Sequence, residues 1–288
     1  MTSPRAAWQK WFALVFAVSG VGASAFAVYV DGRFPAAIPS PPAEFSVSPL
    51  SEVLQAVDSK GQLDVAALKA HREALDRYVA SLASVSPLNE PARFPTPEDK
   101  LAYWLNAYHA LVLQQLLDGW PMGSPDDALL GRFWWGRSWP VGGQRLTLWS
   151  IERRFLREAG DARVYLARFT GTAGGPRLEE TPFDGAMLDA QLTEASRHFM
   201  RRKEHAAVES KTVRLSPVLR DHRDAFLAAL PPGRASVLQI VWAFLPETCD
   251  GERPGCDTRG DLDRACGVAM DQCVVEYVAE DRAVPVRP

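Results

Sequence analysis

The stretch PTPEDKLAYWLNAYHALVLQQLLDGWP, residues Pro95–Pro121, decides the fold class. Thr96 is a good N-cap, Pro97 suits the first helical position, and Glu98 and Asp99 sit at the positive end of the helix dipole. Gly119 and Pro121 stop the helix, so the pattern predicts one long helix through Leu101–Leu117. Leu101, Trp104, Leu105, Tyr108, Leu111 and Val112 form a stripe too broad for a helix resting on a surface. Asn106 and His109, three residues apart, share a face of this apolar segment. Buried without partners, such groups cost about 1–3 kcal/mol each, so they either line a cleft or close an internal hydrogen-bond network.

Upstream, Val53–Val57 is followed by the turn signal Asp58-Ser59-Lys60-Gly61, and Val65–Ala83 has the apolar periodicity of an amphipathic helix. Downstream come Trp134, Trp135 and Trp139, whose rings serve either as core or as an exposed platform. Gly142-Gly143 predicts a hairpin, and Thr147 caps a helix expected over Leu148–Ala159 with Gly160 as its C-cap. Arg163–Phe169 reads as a short strand in which Arg168 breaks the alternation. Met187–Met200 and Pro217–Leu230 read as helices, with strands at Thr212–Leu215 and Val274–Val278. Val237–Leu245 fits a buried strand or a short helix. Helix-rich stretches interrupted by short strands define an α+β domain with a small sheet.

Trp11–Val30 holds twenty residues without a charge, preceded by Arg5 and Lys10. Such a run spans a bilayer, and the flanking charges orient the remainder of the chain outward. Ala23-Ser24-Ala25 and Ala25-Phe26-Ala27 also fit signal cleavage. Two outcomes follow: a transmembrane helix holding a periplasmic domain at the inner membrane, or a soluble periplasmic or secreted protein after cleavage. The expected organisation is a signal or anchor over 1–31, a proline-rich linker over 32–49, a domain over 50–235 and a C-terminal extension over 236–288.

All four cysteines, Cys249, Cys256, Cys266 and Cys273, fall in that extension. Their spacings of six, nine and six intervening residues lack the short knuckles of a zinc site. In an exported chain they predict two disulfides, with three pairings open. With 32 basic and 35 acidic residues the net charge is −3, which leaves no electrostatic footprint for nucleic acid. Neither a cofactor nor a metal is expected. His71, His198, His205 and His222 lie beside charged residues and read as solvated, and no HExxH pair exists. The Gly/Thr loop Thr170–Gly175 lacks the spacing and lysine of a P-loop.

Several segments together resemble one family. Gly61-Gln62-Leu63-Asp64, the run Leu101–Leu111, Ile151-Glu152, Leu156-Arg157 and Leu215-Ser216 look like landmarks of the bacterial domain-of-unknown-function family 547 (DUF547). The resemblance spans roughly 50–230 and implies an exported α+β domain, distantly papain-like, whose reaction is not established. Similar members commonly carry His-Phe-Ala, then a cysteine, then Ser-Cys-Pro; this chain has Tyr165-Leu166-Ala167, Thr170 and Gly174-Gly175-Pro176. His109 stands for a second Asn, and Arg153 for a His after Glu152. Asn106, Glu152, Arg157 and Pro176 remain. A thiol mechanism has thus lost its nucleophile.

Two functions follow. One is a non-catalytic binding or assembly module, its cleft lined by Asn106, His109, Trp134, Trp135 and Tyr165, that recognises an envelope component or another exported protein. The alternative is a hydrolase-like enzyme with Thr170 as nucleophile, His109 and Glu152 as acid–base groups, and Arg157 stabilising negative charge.

Overall fold

The computed structural model describes residues 45–231, 236–249, 257–267 and 269–287. Among them the order of elements is α1 (Ser48–Leu54), α2 (Val65–Ala70), α3 (Arg72–Ser84), α4 (Pro97–Asp118), α5 (Arg132–Trp135), β1 (Trp139–Val141), β2 (Gln144–Leu146), α6 (Leu148–Ile151), α7 (Val164–Ala167), α8 (Leu188–Met200), β3 (Ala206–Glu209), β4 (Thr212–Leu215), α9 (Pro217–Asp221), α10 (Arg223–Ala228), α11 (Val237–Phe244), α12 (Arg259–Cys266) and β5 (Val274–Tyr277). This is a helix-rich α+β arrangement with two small sheets, as the sequence predicts. The sheets are the β1–β2 hairpin and a three-stranded sheet in the order β3-β4-β5, antiparallel then parallel.

α4 is the axis of the first core. Thr96 caps it within a reciprocal box: its hydroxyl accepts from the Asp99 N–H and the Asp99 carboxylate accepts from the Thr96 N–H. Leu105, Tyr108, Leu111 and Val112 have no exposed surface, and each large apolar side chain so buried contributes about 1.5–3 kcal/mol. α3 and α6 pack against it, and α1 and β1 of the hairpin pack against α3 within the same cluster. At its C-terminal end Asp118 pairs with Arg72 and with the buried Arg137, and the Trp139 indole donates to Gln114 at 2.7 Å. A second apolar cluster joins the end of α8 to the three-stranded sheet, α10, α11 and α12.

Four local expectations change. The helix expected over Val65–Ala83 breaks at His71 into α2 and α3. The Pro217–Leu230 helix likewise breaks at His222, where φ is −114° and ψ is 21°. The helix after Thr147 is regular only to Ile151; Glu152–Leu156 is a π-helical turn, and Gly160 closes the segment in the left-handed region. Arg163–Phe169 is a single turn of helix, α7, because the Asp161 carbonyl and carboxylate take the Val164 and Arg163 N–H groups. Val237–Phe244 takes the helical alternative.

Cys266 and Cys273 form a disulfide; Cys249 is also disulfide-bonded, and Cys256 lies outside the described residues. Among the described residues no helix is long and apolar enough to cross a membrane, which corrects the expectation of a transmembrane helix for them. The run Trp11–Val30, on which that expectation rested, lies outside the described residues, as does most of the proline-rich linker.

Candidate functional site

A cleft of about 250 Å³ opens beside α7. Because α7 is helical, Tyr165 and Arg168 are three residues apart on one face, and both line the cleft. The Tyr165 ring stacks on the His222 imidazole at 3.8 Å and 9° between planes, so the break between α9 and α10 supplies the opposite wall. Trp134 from α5, Thr170 and Thr172 from the following loop, and Glu280 beyond β5 complete it.

Arg168 is only 8% exposed. Its guanidinium pairs with Glu152 of the π-helical turn, lies 5.5 Å from the centre of the Tyr108 ring and donates to the Tyr108 hydroxyl at 3.5 Å. Burial works against its charge, yet Tyr108 and Glu152 hold its pKa above the ordinary value. The Arg168 Nε has no hydrogen-bond partner, although unsatisfied buried donors are costly. Burial, with help from Arg168, lowers His222 to about 4, so its imidazole is neutral at pH 7.

The residues expected at the site divide. Tyr165, Trp134 and Thr170 line the cleft. Asn106 is buried and spent on backbone: its Nδ2 donates to the Phe183 carbonyl at 2.7 Å and its Oδ1 accepts from the Phe183 N–H at 2.8 Å. His109 is buried too; Nε2 accepts from the Phe169 N–H at 3.0 Å, and the Ala167 backbone engages the ring as well. Burial lowers its pKa to about 3, outweighing the attraction of Glu179. Trp135 is 41% exposed and its indole donates to the Leu130 carbonyl at 3.1 Å. Arg157 is exposed near the rim and acts on Tyr165 and His222 through its charge.

Thr170, His109 and Glu152 are not joined by hydrogen bonds. The Thr170 hydroxyl lies 3.0 Å from that of Thr172, which donates to Glu280 at 3.1 Å. A hydroxyl has one proton, so Thr170 is the donor of the first bond and the relay ends on the Glu280 carboxylate. A Cβ at Gly175 would lie 2.6 Å from the Thr170 hydroxyl oxygen and 2.7 Å from that of Thr172. The two threonines fill the space that a side chain at position 175 would need.

The sequence reading missed Arg168, His222 and Glu280 as site residues. A charge inside VYLARF was a signal for Arg168, since a buried guanidinium requires partners. Nothing local marked the other two.

Fold and cleft define an α+β helical domain with a polar–aromatic pocket at the turn after α7. Residues 92–200, which carry α4 through α8, match the family model described as "Protein of unknown function, DUF547". No curated protein and no solved structure matches the chain.

Proposed function

We propose that the chain is an exported, non-catalytic binding module, a divergent member of the DUF547 family in which the usual histidine and cysteines are replaced by Tyr165, Thr170 and Gly175. One observation carries this reading: the Thr170 hydroxyl is bonded to the Thr172 hydroxyl, and neither His109 nor Glu152 is within hydrogen-bond contact of it. A hydroxyl nucleophile needs a general base at hydrogen-bond reach of its proton, about 2.6–3.2 Å. His109 is occupied by the backbone of Ala167 and Phe169, and Glu152 by Arg168. What the cleft offers is recognition: the Tyr165–His222 stack, the Trp134 ring and the polar edge of Arg168. The Cys266–Cys273 bridge and the bonded Cys249 support an oxidising compartment, where the partner is an envelope component or another exported protein.

The test combines turnover and capture. Purified protein is assayed against peptide, amide, ester and thioester substrates, alongside Thr170→Ala, His109→Gln and Glu152→Gln. No turnover above buffer is expected for any of them. Turnover that Thr170→Ala lowers by about 10²-fold or more establishes the hydrolase reading instead. Binding is read by a photo-crosslinking side chain at Trp134, whose adducts are expected to disappear with Tyr165→Ala.

A further inference from the structure

The segment Ala279–Arg287 leaves β5 and lies along the loop that carries Thr170–Gly175. It is held by backbone. The Ala173 N–H donates to the Ala283 carbonyl at 2.7 Å, and the Gly174 N–H to the Asp281 carbonyl at 2.6 Å. Further along, the Val284 N–H donates to the Gly123 carbonyl at 2.8 Å, the Leu63 N–H to the Pro285 carbonyl at 2.7 Å, and the Arg287 N–H to the Leu63 carbonyl at 3.0 Å. Main-chain pairing of this kind is how an extended peptide is taken up by a receptive edge. The two backbones come closest at Gly174, where a Cβ would overlap the Asp281 backbone nitrogen.

From Glu280 to Ala283 the residues of this strap alternate between two cavities, and Val284, Pro285 and Val286 continue along the second. Glu280 and Arg282 face the cleft of about 250 Å³ that holds Tyr165 and Thr170. Asp281 and Ala283 face a second cleft of about 460 Å³ that holds Arg177 and Arg202. Thr172 lines both. The strap is therefore the partition between two clefts that meet at Thr172.

We infer that the two clefts are one groove for an extended polypeptide, and that Ala279–Arg287 occupies it as an internal surrogate which a segment of another protein displaces. This names the ligand class of the binding module proposed above and rests on that reading. The strap suits displacement, because Val284, 7% exposed, is its one buried residue. Besides the backbone bonds, the Thr172–Glu280 bond and the half-buried Val286, its side-chain anchors are ion pairs at exposed arginines: Arg282 with Asp126, and Arg287 with Asp58 at 3.4 Å and Asp64 at 3.7 Å. The strap also specifies the chemistry of its replacement. That segment presents a carboxylate to the Thr172 hydroxyl, as Glu280 does, then an aliphatic residue at the place of Val284 and a cation between Asp58 and Asp64.

The experiment uses the full chain and a fluorescent peptide of sequence AEDRAVPVR, residues 279–287. Two variants release the strap: Val284→Asp with Arg287→Glu, and the milder Arg282→Ala with Arg287→Ala. In both, the Gly174 amide exchanges faster than in the unaltered protein. Both are expected to bind the peptide at least about tenfold more tightly than the unaltered chain, whose own strap competes. Gly174→Val added to either release variant is expected to abolish binding. Faster exchange with no gain in affinity overturns the inference. So does an amide that stays protected in both variants, because a strap that cannot leave is a fixed wall. Release variants that form dimers in place of binding the peptide assign the groove to the strap of a second copy and overturn it too. If the peptide fails while crosslinking from position 134 persists, the binding-module reading stands and only its ligand class falls.

Discussion

At the scale of single residues the decisive group is Arg168. Its guanidinium sits in a wall of Tyr108 and Tyr165 with Glu152 as its charge partner. Removing one member of a buried pair is worse than removing both, because the survivor keeps its desolvation cost and loses its attraction. Glu152 is 26% exposed at its side chain and Arg168 only 9%, so the arginine is the member that cannot be left alone. Glu152→Gln is therefore expected to destabilise the fold by about 3 kcal/mol, toward the lower end of the range for broken buried pairs. The double variant Glu152→Gln with Arg168→Met is expected to recover a large part of that loss. Denaturant midpoints of the three proteins check this, and equal losses in the single and double variants would contradict it.

At the scale of elements, α4 acts as a clamp on the segment that follows α7. Asn106 holds Phe183 through two bonds, and three residues later His109 holds Phe169 and Ala167. The clamp has a pH signature. His109 falls from its ordinary 6.5 to about 3 through burial, and His205, bonded to the Phe199 carbonyl, falls to about 4 for the same reason. Between those values and about 6.5 the unfolded chain binds protons that the folded chain refuses. Stability therefore rises with pH in that window; it is fully present above pH 6.5 and is lost as pH falls toward the folded pKa. Each such imidazole adds a slope of up to about 1.4 kcal/mol per pH unit. Thermal melts between pH 4 and 7.5 are expected to show this, with a shallower slope for His109→Gln, whose amide oxygen can still accept from Phe169. An unchanged slope in the variant would refute the assignment. The clamp also marks the limit of sequence reading. The Thr96 cap, the Gly119 stop and the Gly142-Gly143 turn are local signals, and α4 and the hairpin were legible from them. α7 was not, since the seven residues Arg163–Phe169 with their two charges fit a strand or a helical turn equally, and the choice rests on the Asp161 carbonyl and carboxylate. Thr172 meets Glu280 across 108 residues of chain, and no spacing rule reaches that far.

At the scale of the whole molecule the apolar interior is two clusters, one around α4 and one around the three-stranded sheet. Arg168 and Thr170 lie where α7 passes between them: Val164 and Ala167 belong to the first cluster and Tyr165 and Leu166 to the second. The cleft is thus placed at a seam, where packing is least able to fill space, and a ligand there touches both halves of the core. The second cluster carries the Cys266–Cys273 bridge, which ties α12 to the start of β5 across a separation of seven residues. Closing so short a loop in the unfolded chain is worth about 2–3 kcal/mol by the chain-entropy argument. Because β5 pairs only with β4 among the described strands, and leads directly into the strap, loss of the bridge is expected to act locally. Cys266→Ser with Cys273→Ser should speed amide exchange in β4, β5 and at Gly174, while Leu105 and Leu111 in α4 stay as protected as in the parent protein. Equal deprotection of α4 would mean that the two clusters unfold as one cooperative unit. Protection retained at Gly174 would mean that the strap holds its place without β5, leaving its backbone bonds to Leu63 and Gly123 as the anchors that matter.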